Sequence, residues 1–296
     1  MKPIQVATHS GNFHPDDVFS VATLELYLKQ SVAVVRTRDQ EKIKGADFVV
    51  DVGLELDPTR KRFDHHQAYG AGTRSNGVPY ASFGLVWKEY GEKICGSREI
   101  AEKIDQRLIQ YVDSTDNGIE TVKSINPATF YSIYDYFTLL NPTWEEKSAG
   151  VSVDEKFIEA VAMAKQILER EIVVARNYLL GQEKIKRAYE TVGDKRLIIL
   201  DGSYEGKESL SNFAEPLYVI SPQTDSDGWK LTTVHIEPKS FINRKDLPSA
   251  WAAKAGAELE KITGVSGALF CHRALFIATA KTKEAILNLA ELALRE

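Results

Sequence analysis

The sequence is poor in several things, and each shortage excludes a class of protein. Only two cysteines, Cys95 and Cys271, occur in 296 residues. They are too far apart in the chain to read as a ligand pair, so neither a disulfide framework nor a cysteine-built zinc site is expected. No apolar run approaches the roughly 20 residues of a membrane-spanning helix. Met1-Lys2-Pro3 leads straight into a strand-like segment, without an apolar signal core or an arginine-rich transit sequence. The expected setting is the cytoplasm, with no membrane partner. A basic excess is missing too: 37 Lys and Arg stand against 42 Asp and Glu, a net charge of −5. No broad positive field therefore advertises bulk nucleic-acid binding, although a local basic groove is compatible with these numbers. Internal repeats and low-complexity tracts are absent.

What is present suits a globular α/β protein of two domains. A β-branched run at 4–8 predicts a first strand. The loop from His9 to Pro15 follows, and Asp16-Asp17 opens an amphipathic helix to about residue 29. Further strands are predicted at 32–38, 47–52 and 61–64. Crossovers this short imply a largely parallel sheet, in which ligands collect at the carboxyl ends of strands. Helices are expected at 81–90 and 97–112, followed by an aromatic stretch (Phe130, Tyr131, Tyr134, Tyr136, Phe137) read as core. A long charged helix runs over 153–189, as one piece or broken near Gly181, and offers a connector or homodimer surface. The domains are placed at 1–190 and 191–296. In the second, strands are predicted at 196–200, 217–221, 230–236 and 267–280, the last as a hairpin, with helices near 249–262 and 281–294.

Four of the six histidines fall within the first 66 residues, each beside a carboxylate. They lie in His9-Ser-Gly-Asn-Phe-His14-Pro-Asp16-Asp17 and in Arg62-Phe-Asp64-His65-His66-Gln67. Between these stands Phe48-Val-Val-Asp51-Val-Gly53, and after them Tyr111-Val-Asp113-Ser-Thr-Asp116. Gathering Asp16, Asp51, Asp64 and Asp113 without cations is strongly unfavourable. A pair of divalent ions ~3.5–4 Å apart removes that penalty, lowers the pKa of a bound water from ~15.7 to ~7 and neutralises a leaving oxygen. Imidazole and carboxylate without thiolate suit manganese, magnesium, cobalt or zinc, and the several carboxylates favour manganese or magnesium. Asp16 has a second, weaker reading as a helix-capping carboxylate, and the two roles are compatible.

The series THSGNFHPDD, RTRD, VVDVG, RFDHHQ and YVDSTDNGIE resembles the melanocyte-proliferating-gene exonuclease family, a branch of the DHH phosphoesterase superfamily. The resemblance covers essentially the whole chain and is densest over residues 1–120. It implies a DHH-type catalytic domain, a smaller α/β substrate domain with a cleft between them, and metal-dependent 3′–5′ hydrolysis of RNA. It further implies that His9, His14 and Asp51 hold one metal. Asp16, Asp51, His65 and Asp113 would hold the other, with Asp116 as a rival to Asp113. His66 would contact the phosphate and Asp64 would orient the neighbouring imidazole.

Two departures from the family pattern lie in the second half. Trp251-Ala252-Ala253 stands where relatives tend to have Trp-Arg-Gly. His272-Arg-Ala-Leu-Phe-Ile-Ala278 stands where they have a glycine-bearing stretch that lets backbone approach phosphate. The remaining candidates keep two readings. Arg36 and Arg38 either clamp phosphate or form a surface ion pair with Asp39. His272 is a substrate contact or an ordinary strand histidine, His235 is read as structural, and Arg74 as solvated on its glycine-rich loop. The leading function is a phosphodiesterase acting on RNA or short oligonucleotides. A small-molecule phosphatase or pyrophosphatase and a non-catalytic metal-binding protein are the alternatives.

Overall fold

The computed structural model describes residues 2–123, 125–224 and 226–296. The chain divides into two compact units, Met1–Ala175 and Arg176–Glu296. The first opens with strand β1 (Gln5–Thr8), helix α1 (Pro15–Leu28), strand β2 (Ala33–Arg36), helix α2 (Gln40–Gly45) and strand β3 (Phe48–Val50). Strands β4 (Leu56–Asp57) and β5 (Arg62–Phe63) follow, then helices α3 (Ser82–Cys95) and α4 (Arg98–Ile104). A π-helical turn over Asp105–Ile109 links α4 to α5 (Gln110–Asp116), and α6 (Ile133–Thr138) and α7 (Trp144–Ser148) precede the long helix α8 (Val153–Thr191). The strands form one sheet in the order β2-β1-β3-β5-β4. Every pairing in it is parallel except that of β4, which lies antiparallel against β5 at the edge.

The sheet forms where it was predicted because short β-branched runs alternate with helices. Val6, Ala7, Val49, Val50 and Phe63 are buried. On the sheet lie α1 and α3, whose Phe19 and Phe83 rings stack at 5.0 Å, with Phe137 of α6 5.0 Å from Phe19. The crossovers bring the carboxyl ends of β1, β3 and β5 to one edge, as such topology requires. Three expectations need correction here. The helix predicted over 97–112 is interrupted by the π turn. Of the aromatic stretch only Phe137 is buried, while Phe130, Tyr131 and Tyr136 are exposed. The edge strand β4 was not foreseen, being two residues long.

The second unit contains β6 (Leu197–Ile199), a 3-10 helix at Lys207–Asn212, β7 (Tyr218–Pro222) and β8 (Trp229–Thr233). A 3-10 turn at Ser249–Trp251, α9 (Ala257–Thr263), β9 (Ala268–Cys271), β10 (Ile277–Ala280) and α10 (Lys283–Arg295) complete it. Its sheet has the order β6-β7-β8-β10-β9, with β6 parallel to β7 and the other pairs antiparallel. Alternation along the strands serves two cores. Tyr218, Ile220, Leu231 and Ala278 face Ile286, Leu289 and Ala293 of α10. Val219, Ile198 and Leu200 meet Ile185 and Leu210 on the other side. The hairpin predicted at 267–280 is present. The helix predicted over 249–262 is two short pieces.

Helix α8 is continuous through Gly181, and the division between units falls inside it, at 175/176, rather than at 190/191. Burial explains the position. Phe157, Ala160, Val161, Ala164 and Leu168 are buried in the first unit, whereas Ile185, Ala188 and Tyr189 pack in the second.

Candidate metal centre

Among the described residues, three triplets of possible ligands converge in the first unit: His9, His14 and Asp51; Asp51, His65 and His66; and Asp16, His65 and Asp116. Within each, the ligand atoms lie within 4.8 Å of one another. Asp51 belongs to two of the three, and so does His65. Each side chain is delivered by a strand or helix end. His9 follows β1, Asp51 follows β3, and His65 and His66 follow β5. Asp16 lies in the first turn of α1 and Asp116 at the end of α5.

The local backbone is shaped to that purpose. Asp51 is left-handed at φ 54°, a conformation that costs a non-glycine residue of order 1–3 kcal/mol, and its N–H donates to Phe63 O at 3.1 Å. The carboxylate thereby turns back over the sheet edge. Asp16 is fully buried and accepts from the backbone N–H groups of Ser82 (3.1 Å) and Phe83 (2.7 Å), the first residues of α3. It thus caps a helix other than its own. Asp64 accepts from Leu54 N at 2.6 Å and from His66 N at 3.0 Å, and its Oδ1 holds His66 Nδ1 at 2.8 Å.

The buried polar atoms are short of partners. His9 Nε2 lies 3.2 Å from Asp17 Oδ2 and 3.4 Å from Asp51 Oδ2. His65 Nε2 lies 3.1 Å from Asp116 Oδ2 and 3.3 Å from Asp51 Oδ1. Yet His9 Nε2, His65 Nε2 and Asp17 Oδ2 make no hydrogen bond of acceptable geometry. Orphaned donors and acceptors this deeply buried are rare, and they fit a site built to receive cations.

Metal-free electrostatics follow from the same geometry. Burial disfavours a charged His9, but Asp17 and Asp51 outweigh it and raise its pKa to about 10. For His65 the burial penalty is outweighed by Asp116, Asp51 and Asp16, and the pKa rises to about 11. Burial, then repulsion from Asp116 and Asp51, pushes Asp16 well above the usual carboxylate range. Asp51 is also desolvated, yet its two histidine neighbours hold it low. The acids are crowded enough that protons stand in for missing positive charge.

Asp113 faces elsewhere. Its Oδ1 accepts from Gly84 N at 3.0 Å, and its Oδ2 lies 2.8 Å from Arg74 Nη2. Burial raises it to about 7 against the pull of Arg74. A Cβ on Gly84 would fall 1.9 Å from Asp113 Oδ2, so glycine is required there. Arg74 is buried, not solvated: it also chelates Asp105 (2.6 and 2.9 Å) and donates to Pro79 O. Arg36 is likewise occupied, pairing with Asp154 at 2.9 Å and Gly11 O at 2.6 Å, with its guanidinium over Phe157. It pairs with neither a free phosphate position nor Asp39, which caps α2 instead. Arg38 is exposed and lines the cavity of about 440 Å³ above the cluster, with His14, His66 and Tyr134.

Two neighbours of the cluster were missed by sequence reasoning. Asp17 stands against His9, and its other oxygen accepts from His14 N at 2.9 Å; the His14-x-x-Asp17 capping-box spacing was its signal. Tyr134 points its hydroxyl at Asp116 Oδ1 (3.4 Å) and stacks on His14. Nothing separated it from its aromatic neighbours in sequence.

A family model described as Uncharacterised protein family (UPF0160), MYG1 exonuclease, matches residues 5–294. The chain belongs to the MYG1 family. Its relatives include the MYG1 exonuclease of Homo sapiens, 30% identical across 100% of this chain and 87% of that protein. The MYG1 protein of Dictyostelium discoideum is 30% identical over 98% of this chain and 96% of its own length. That of Chlamydia muridarum is 29% identical over 99% and 98%. The MYG1-pattern positions in the second unit can now be placed. Ala253, where glycine was noted as missing, is left-handed at φ 59°, and so is Leu275 at φ 58°. The backbone thus keeps a glycine-like shape without glycine. His272 follows β9, and its Nδ1 accepts from Ala274 N at 3.0 Å inside the hairpin turn. His235 forms a bridge with Asn243.

Proposed function

We propose that this chain is a metal-dependent phosphodiesterase of the DHH type, a 3′–5′ exonuclease acting on RNA with a preference for short oligoribonucleotides. The observation that supports it is the sharing of Asp51 between two ligand triplets at a strand edge. The printed name of the human relative, an exonuclease, points the same way. His9, His14 and Asp51 would hold one manganese or magnesium ion; Asp16, Asp51, His65 and Asp116 would hold the other, with Asp116 taking the place first given to Asp113. Two such cations supply a nucleophile at neutral pH and neutralise charge on the leaving oxygen.

The chain's own residues do the rest. His66 has half its side chain exposed at the cavity, and with Nδ1 tied to Asp64 its Nε2 is the nitrogen free to meet a phosphate oxygen. The Asp64 bond raises the His66 pKa and so favours the cationic ring, which suits it to an anionic ester. Arg38 adds a second contact from the rim. Among the lining residues of the cavity it is the sole Lys or Arg, so few phosphates are gripped there. That same observation favours the second reading, hydrolysis of a small phosphate ester or pyrophosphate.

The test is a panel of long RNA, two- to five-nucleotide RNA and pyrophosphate with added manganese. Short RNA is expected to turn over fastest, with a binding slope of log K on log salt of about −1 to −2, each single-strand phosphate contact contributing about −0.7. A steep slope with faster cleavage of long RNA restores a processive exonuclease. Turnover of pyrophosphate alone establishes the second reading.

A further inference from the structure

Beside the face of the second sheet that packs against Ile185 lie two lysines, Lys207 and Lys230, neither of which makes an ion pair among the described residues. Lys230 on β8 pairs in register with Ser221 on β7, so both side chains emerge on the face that also bears Val219. Lys207 begins the 3-10 helix, and its ammonium donates to the fully buried Ser221 Oγ at 3.0 Å. Lys230 donates to Ser203 Oγ at 3.1 Å. Among the described residues, these hydroxyls are the polar partners of the two ammonium groups, and neither makes an ion pair.

Both lysines line a cavity of about 530 Å³, with Ser203 and Thr224. Lys207 also lines a second of about 210 Å³, where Ser211, 9% exposed, leaves its Oγ without a partner. The acids on the rim, Glu205 and Glu208, are exposed, and Glu208 is bonded to Tyr178. Burial and then the nearby charge of Lys230 bring Lys207 down to about 8. Two like charges half-withdrawn from water onto neutral hydroxyls repel one another, and an anion relieves both penalties.

We propose that Lys207 and Lys230, with the hydroxyl of Ser203, form a binding site for a phosphate group in the second unit. The phosphate is free or carried on a nucleotide. None of these residues belongs to the metal cluster, and the site stands whether or not the phosphodiesterase reading does.

The experiment is thermal unfolding of the full chain, with and without magnesium, as sodium phosphate replaces chloride at constant ionic strength. Phosphate is expected to raise the Tm by about 2–4 °C through binding to the folded state, to the same extent with and without magnesium. Lys207→Met and Lys230→Met, which keep the apolar stems, should lose the rise. Without phosphate both should melt no lower than the parent, because the repulsion is gone. Lys207→Arg and Lys230→Arg keep the charge and should retain the rise, which guards against misfolded variants. Adenosine 5′-monophosphate should act at least as well as phosphate, and adenosine not at all; a larger effect of the nucleotide identifies it as the occupant, and an equal one identifies phosphate itself. The proposal is overturned if the methionine variants respond like the parent, if adenosine matches its monophosphate, or if the rise appears only with magnesium.

Discussion

The side chains divide into those that face the prospective cations and those that fix them. On the proposed function Asp51 would do the first for both sites, so Asp51→Asn should cut manganese uptake from about two equivalents to well below one, as read by elemental analysis of the reconstituted protein. Near-full loading would sink the bridging assignment. His65→Ala should lose metal, whereas His66→Ala should keep metal and lose turnover, since His66 is tied to Asp64 and half exposed. Equal loss in both variants would contradict that division. Gly84→Ala tests the fixing role. Its Cβ would meet the Asp113 carboxylate, and overpacking of this kind costs about 1–3 kcal/mol. Urea unfolding should show that loss with metal stoichiometry reduced as well, because α3 also carries the amides that hold Asp16. Most of the cluster was legible because the histidine and aspartate motifs occur together and in the order of the family they resemble, although each alone reads equally as a cap or turn residue. Arg36 and Arg74 were not. Their partners Asp154 and Asp105 lie 118 and 31 residues away, and no local pattern announces such pairings.

At the scale of elements, the π turn over Asp105–Ile109 decides which acid meets His65. A π turn adds one residue to a helix and changes the phase of everything after it. Asp113 and Asp116 lie three apart, yet one faces Arg74 and the other His65. Reading 97–112 as a regular helix left no way to choose between them. Deleting the exposed Gln106 should restore regular winding and rotate both carboxylates by roughly 100°. Manganese uptake should fall sharply while far-UV circular dichroism stays close to that of the parent. Retained uptake would show that the phase of α5 does not set the ligand. Strand positions and the largely parallel first sheet were readable from short β-branched runs and short crossovers, whereas the strand order β2-β1-β3-β5-β4 was not. The split of the 249–262 segment was not, because Ala252 to Gly256 lack any breaker before the glycine itself.

For the whole molecule, the proposed metal ions would compete with protons. In the metal-free protein His9 and His65 keep their protons to about pH 10 and 11, well above the ordinary 6.5. Raised pKa values of this sign stabilise fully below about pH 6.5 and lose that contribution as the pH climbs through 10 to 11. Ligation requires the neutral ring, so loading must release protons. The Tm of chelator-treated protein should therefore decline between pH 7 and 10, while the increment given by manganese grows over that window. An increment that is flat with pH would mean that the histidines are not ligands. The amides of Ser82, Phe83 and Gly84 bear on the order of events. They tether Asp16 and Asp113 through backbone that forms with α3, so these carboxylates need no cation to hold their places. On the proposed function, synthesis and metal supply would thereby be uncoupled: the chain would complete its architecture in a metal-starved cell and wait, and replenishment would cost it only ion dehydration and proton loss instead of a second round of folding.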